Sequence, residues 1–172
     1  MTESNVTEST KIWIDGDACP RPVKDIVYRA SERLRVPVKV VANSPMFVPH
    51  NGLVELIVVS SGFDVADAHI VSQVGTMDLV ITADIPLASE VVKSGSTAIN
   101  PKGELYTAES IGERLAVRNL MAEIRSSGEI VGGSRPYSDQ DKKAFAAAFD
   151  RTLTKILRAS QRSTRAHEGK KA

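Results

Sequence analysis

Cysteine is almost missing from this 172-residue sequence: Cys19 stands alone, so no internal disulfide can form. Such a chain is expected in a reducing, cytoplasmic setting. Aromatic residues make up only 5% of it, which leaves no evident platform for stacking unpaired bases; Trp13 is assigned to a core strand. No apolar run approaches the roughly 18 residues of a membrane span, and the polar opening MTESNVTEST, with two acids, lacks the basic and apolar regions of an export signal. His50, His69 and His167 are scattered, and with one cysteine they do not compose a zinc site.

What is present fits one globular domain, since 42% of the residues are hydrophobic and a chain of this length buries a core without metal or disulfide staples. The net charge of +1 hides an asymmetry. Seven of the 22 bases (Arg151, Lys155, Arg158, Arg162, Arg165, Lys170, Lys171) but only one of the 21 acids (Glu168) follow residue 150, leaving a body at −5 and a tail at +6. The body suits a site that needs cations; the tail is either a solvated, disordered end or a contact for polyanions.

After a polar lead at 1–10, short β-branched apolar runs (12–14, 38–42, 56–59, 79–81, 97–99) alternate with helical patterns (23–35, 65–74, 87–92). This alternation predicts an α/β fold, a three-layer α/β/α sandwich around a mostly parallel sheet whose strands are covered on both faces. From Thr107 to Ser126, Ile111, Leu115, Val117, Leu120, Met121 and Ile124 recur at helical spacing, with Thr107 as N-cap and Gly128 past the end. A Gly- and Pro-rich loop follows at 128–137. Ser138 and Asp141 then form a capping box for a helix carrying Phe145, Phe149, Leu153 and Ile156. The ordered domain is expected to span 11–158, with 159–172 as a basic disordered tail.

In a parallel α/β sheet ligands bind beyond the carboxyl ends of the strands. There the sequence places Asp15 and Asp17 after the first run, Asn43 after the second and Asp84 after the 79–81 run; Asp64 and Asp67 fall at the start of the 65–74 helix. Asp64 reads as a helix cap and Asp84 also suits one, whereas Asp78, before a strand, reads as surface. Asp15, Asp17, Asp67 and Asp84 in one cleft would repel one another, and a hard cation, Mg²⁺ or Mn²⁺, is the usual remedy. Around them, Lys24 at a helix start, Arg118 and Arg125 seven residues apart on one helix, and Gly132, Gly133 and Arg135 in the Gly-rich loop are candidate phosphate contacts or, equally, ordinary surface. Cys19 precedes a helix start, a setting that lowers a thiol pKa. Asp25 stands where a cysteine phosphatase needs arginine, however, so a packed thiol is expected.

Five ordered motifs, DGDACP (15–20), VANSP (41–45), FDVAD (63–67), DLVITADIPLA (78–88) and GGSRP (132–136), together resemble the bacterial YaiI/YqxD family, also called UPF0178 or DUF188, over roughly residues 11–157. The resemblance implies a PIN-like fold. In PIN-like nucleases, Mg²⁺ or Mn²⁺ is held by an acid after the first strand, an acid early in a central helix and acids after the fourth strand. By resemblance Asp15, Asp67 and Asp84 match these places, with Asp17 and Asp64 acting through water, and the implied activity is a ribonuclease whose partner is RNA. The sequence departs from many such nucleases in having Ile85-Pro86 where a second acid follows the fourth strand. Two alternatives stay open: a haloacid-dehalogenase-like phosphatase with Asp15 as nucleophile, and a non-catalytic module that binds RNA or protein. A homo-oligomer is compatible with either.

Overall fold

The β-branched runs form strands where the alternation predicts them. The computed structural model describes residues 9–129 and 135–170. Its elements are β1 (Ile12–Asp15), α1 (Arg21–Leu34), β2 (Val38–Ala42), β3 (Val54–Val58), α2 (Val65–Gln73), β4 (Leu79–Ile81), α3 (Ile85–Lys93), β5 (Thr97–Ile99), β6 (Leu105–Tyr106), α4 (Ala108–Ser126) and α5 (Asp139–Gly169). The six strands lie in the order β3-β2-β1-β4-β5-β6, all parallel except the antiparallel β5–β6 pair. The chain builds outward from β1 on one side, then returns to place β4 on the other. That reversal opens a crevice at the carboxyl ends of β1 and β4, the switch point where α/β sheets take ligands.

Successive strand residues feed opposite cores, as a two-sided sheet requires. Ile12, Ile14, Val38, Val40, Leu79 and Ile81 pack against Val23 and Val27 of α1 and Phe145, Phe149 and Leu153 of α5. Trp13, Val41, Val80 and Ala98 pack against Ile70 of α2, Leu87 and Val91 of α3, and Ile111 of α4. The expected three-layer α/β/α sandwich with a mostly parallel sheet is therefore the architecture. Among the described residues no helix is long and apolar enough to cross a membrane.

Four features depart from the sequence reading. Strand β6 has only two residues, too few for a periodic signal. Asp78 is not at the surface: it is 3% exposed, and its carboxylate accepts from Lys11 N, Trp13 Nε1 and Gly75 N, each at 2.9 Å. The start of β4 thus sits against β1, and the acid collects three N–H groups that the sheet leaves open. Helix α5 does not end near 158 but continues to Gly169, so 159–169 is helical rather than coil.

Helix α4 has its expected Thr107 capping box but buries only Ile111, while Val117 and Leu120 are 49% and 54% exposed. The reason is length. Arg114 pairs with Glu104 and lies over the Tyr106 ring, and Glu104 stands just beyond the carboxyl end of β5, whose Ile99 pairs with Leu105. By its second turn α4 has therefore climbed to the ligand edge of the sheet. Its last 12 residues, about 18 Å at 1.5 Å per residue, continue past that edge, where Leu115, Met121 and Ile124 are only half-buried.

Candidate strand-end acidic site

Gly16 sets the geometry where β1 ends. Its N–H donates to Val41 O at 2.8 Å, and a Cβ at this position would stand 2.9 Å from Val40 Cγ1 and 3.1 Å from Val41 O. Only glycine lets the chain turn this close to β2. The turn leaves Asp15 facing the β4 side and Asp17 the β2 side, where Asp17 Oδ2 accepts from Asn43 N at 2.7 Å.

Asp15 is 8% exposed, and its Oδ2 accepts from the Thr82 hydroxyl at 3.2 Å. Thr82 Oγ1 in turn accepts from Asp84 N at 2.9 Å, and Thr82 O accepts from the Tyr106 hydroxyl at 3.3 Å. Asp84 is the N-cap of α3, accepting from Leu87 N through Oδ1. One carboxylate oxygen of each of Asp15, Asp17 and Asp84 is thereby tied to the fold. Thr82, Tyr106 and Arg114 were not candidates from sequence: the sheet order brings Thr82 against Asp15, Tyr106 against Thr82 and Arg114 over the Tyr106 ring.

Asp64 precedes α2 as expected, yet its backbone is left-handed at φ 62° and its side chain caps no N–H. A non-glycine residue held there carries local strain of the kind that collects at functional sites. Asp67, in the first turn of α2, is pushed up to about 7 by burial, by the charges of Asp84, Asp15 and Asp64, and by a hydrogen bond with Asp64. Asp15 is also pushed up, by burial against the Thr82 hydrogen bond and then by the charges of Asp84 and Asp17. Asp67 thus feels the charges of Asp15 and Asp84, and Asp15 that of Asp84, as convergence at one edge demands. Beside them, a cavity of about 390 Å³ between α2 and α3 is lined by Asp64, Asp67, Ala68, Val71, Ser72, Pro86, Leu87 and Glu90.

The remaining candidates divide. Lys24 reaches the edge, with Nζ 3.4 Å from Gly16 O and 3.6 Å from Met46 Sδ. Asn43 is exposed at the end of β2, its amide committed to Asp17. Arg118 and Arg125 are exposed on the overhanging half of α4. At four and eleven positions from Arg114 they share its face of the helix. Arg135 is occupied elsewhere: its guanidinium lies 2.7 and 2.9 Å from the two oxygens of buried Asp141 at the start of α5. Gly132 and Gly133 lie outside the described residues. The Cys19 thiol is packed and pushed up to about 12 by burial, opposite to what its place before a helix suggests. Phe47 and Phe63 are 80% and 90% exposed in the connections that follow β2 and β3, so the few aromatics do include two rings in solvent.

The donor chemistry fits a hard divalent cation. Asp15, Asp67 and Asp84 offer carboxylate oxygens whose mutual repulsion a cation would relieve, and Mg²⁺ commonly uses one or two carboxylates and keeps several waters. Among the described residues no group of three or more His, Cys, Asp or Glu is placed so that it could hold a metal ion, so no more than two of these acids meet one cation as they stand and water would have to supply the rest of the shell.

Residues 13–155 match the family model DUF188, described as "Uncharacterized BCR, YaiI/YqxD family". A UPF0178 protein of Citrifermentans bemidjiense is 57% identical over 148 residues, covering 86% of this chain and 96% of that protein. One of Geobacter sp. strain M21 is 56% identical with the same coverage, and one of Trichlorobacter lovleyi is 50% identical over 88% of this chain and 98% of its own length. No solved structure matches the chain. With the match running from the first strand into the last helix, the chain belongs to the YaiI/YqxD family of UPF0178 proteins.

Proposed function

We propose that this chain is a cytoplasmic, PIN-like metal-dependent phosphodiesterase acting on RNA at the carboxyl ends of β1 and β4. The observation that carries the reading is the convergence of acids at the switch point: buried Asp15 and the Asp84 amide share the Thr82 hydroxyl, and the charges of Asp84 and Asp15 help push half-buried Asp67 up, a cost to the fold that a cation would relieve. Asp15, Asp67 and Asp84 would hold Mg²⁺ or Mn²⁺, which when bound supplies charge neutralisation at a phosphoryl oxygen and an acidified water. Asp17, pinned through Oδ2 to the Asn43 amide, presents Oδ1 to orient the attacking water. Asp64 holds Asp67 in place. Lys24 and the Arg118 and Arg125 stripe neutralise flanking phosphates, and Phe47 and Phe63 give the neighbouring bases rings on which to stack.

The test is calorimetric titration with Mg²⁺ and Mn²⁺ of wild type beside Asp15→Asn and Asp67→Asn, with labelled RNA and DNA pools added to the same samples. Binding that both substitutions abolish, together with RNA cleavage, supports the proposal; cleavage that survives both substitutions removes it. A second reading, a non-catalytic RNA- or protein-binding module, is favoured because among the described residues no group of three or more His, Cys, Asp or Glu could hold a metal ion. RNA binding without turnover under saturating metal would select it.

A further inference from the structure

Because α5 stays helical to Gly169, the bases at its end acquire a geometry that a coil would not give them. Arg151, Lys155, Arg158, Arg162 and Arg165 recur at steps of four, three, four and three residues. That spacing gathers all five on one face of a helix, in a stripe about 21 Å long. All five are exposed, and among the described residues none takes part in an ion pair. A shallow groove lies among Arg158, Gln161, Arg162 and Arg165.

The stripe is remote from the strand-end acids. Helix α5 begins at the carboxyl edge of the sheet, where Tyr137 OH donates to Pro101 O at 2.8 Å and Gly103, at φ +87°, meets Ala144 so closely that a Cβ would stand 2.5 Å from its carbonyl. It then descends along α1, whose last turn places Arg33 3.8 Å from Asp150. The residues after Asp150 therefore emerge at the amino end of the sheet, opposite to Asp15, Asp67 and Asp84. The family match ends at residue 155, so most of the stripe is added beyond the shared domain.

We propose that this face of α5 docks the phosphate backbone of a nucleic acid, as a surface separate from the acidic edge. Like charges three and four residues apart on a helix repel, so five bases on one face, with only Glu168 within a turn of the last of them, are stabilised by an external polyanion. Four of the five are arginine, the side chain whose planar fork matches phosphate. The stripe spans about six phosphates of one strand at 3.4 Å per nucleotide. A lipid surface fits less well: past Leu157 the opposite face carries Ser160, Thr164 and His167, whereas a helix lying in a membrane interface needs an apolar side there.

The test is fluorescence anisotropy of an end-labelled 20-nucleotide single-stranded RNA in EDTA, from 50 to 200 mM salt, which needs neither metal nor turnover. Loss of three phosphate contacts in Arg158→Gln/Arg162→Gln/Arg165→Gln is expected to make the slope of log K against log salt shallower by about 2.1, with at least a tenfold loss of affinity. The matching triple lysine variant keeps the slope, and RNA raises the helical signal of the wild type in circular dichroism. The substituted side chains are exposed, so melting temperatures stay level and report that the domain is intact. Equal slopes and affinities for wild type and the glutamine variant overturn the proposal, as does binding to phosphatidylserine vesicles with none to RNA.

Discussion

The Thr82 hydroxyl bridges two strand ends: it donates to Asp15 Oδ2 at 3.2 Å and accepts from the Asp84 amide at 2.9 Å. One buried side chain thus fixes the distance between the acid after β1 and the acid after β4. Thr82→Val keeps the shape and removes both bonds. It leaves the Asp84 amide short of a partner, at a cost of about 1–3 kcal/mol, and lets the elevation of Asp15 grow because its one lowering influence is gone. Urea unfolding is expected to show the stability loss, and Mg²⁺ titration a roughly tenfold weaker site. Unchanged metal affinity would mean that Asp15 and Asp84 do not act together.

Asp67 gives the fold a pH signature. Its carboxyl is pushed up to about 7 in the folded chain against an ordinary value near 3.9, so between about pH 4 and pH 7 the folded state binds the extra proton. Stability from this group is full below about pH 4 and is lost as pH rises through 7. Melting temperature is therefore expected to fall across that window, and Asp67→Asn to flatten the fall and melt higher than wild type at pH 8. A divalent cation that binds the deprotonated acids should raise the melting temperature more at pH 8 than at pH 5.

Arg135 and Asp141 titrate with the opposite sign. The Arg135 hydrogen bonds, with help from the Ser138 amide, hold Asp141 down at about 2. The stabilisation is present above about pH 4 and is lost as pH falls through 2. Arg135→Ala is expected to melt a few degrees lower than wild type at pH 7 and to converge with it near pH 2. If instead RNA affinity falls while the melting profile stays unchanged, Arg135 is a substrate contact and its ion pair is incidental.

Most of the architecture was legible because the strands are short apolar runs buried on both faces, and the turns between them carry Gly, Pro, Asn and Asp. The positions of Asp15, Asp17 and Asp84 at strand ends were read for the same reason, since each falls within three residues after such a run. Asp78 was misread because a lone acid before a strand looks the same whether it meets solvent or three N–H groups, and only the pairing of β4 with β1 tells them apart. The α4 apolar positions were misassigned because helical spacing reports a face and not whether a neighbour covers it. The Tyr106, Thr82 and Asp15 chain joins residues 24 and 67 positions apart, and no local pattern encodes such a contact. The α5 stripe was visible as composition, but its single face exists only once the helix is known to continue.

Phe47 and Phe63 were passed over when aromatics were judged by number. Met46, the residue before Phe47, touches Lys24 at the site's basic corner, and Phe63 directly precedes Asp64. Rings that are 80% and 90% exposed contribute almost nothing to the core, so Phe47→Ala and Phe63→Ala are expected to melt within a degree or two of wild type. Base stacking is worth about 1–3 kcal/mol per ring, which translates to a loss of roughly 5- to 150-fold in single-stranded RNA affinity for each substitution. Duplex RNA, whose bases are already stacked, should be affected far less. The comparison is made in EDTA with a strand carrying 2-aminopurine, whose fluorescence is quenched on stacking; quenching that persists in the double variant would place the bases elsewhere, and a change in oligomeric state instead of affinity would make the rings a contact between copies of the chain.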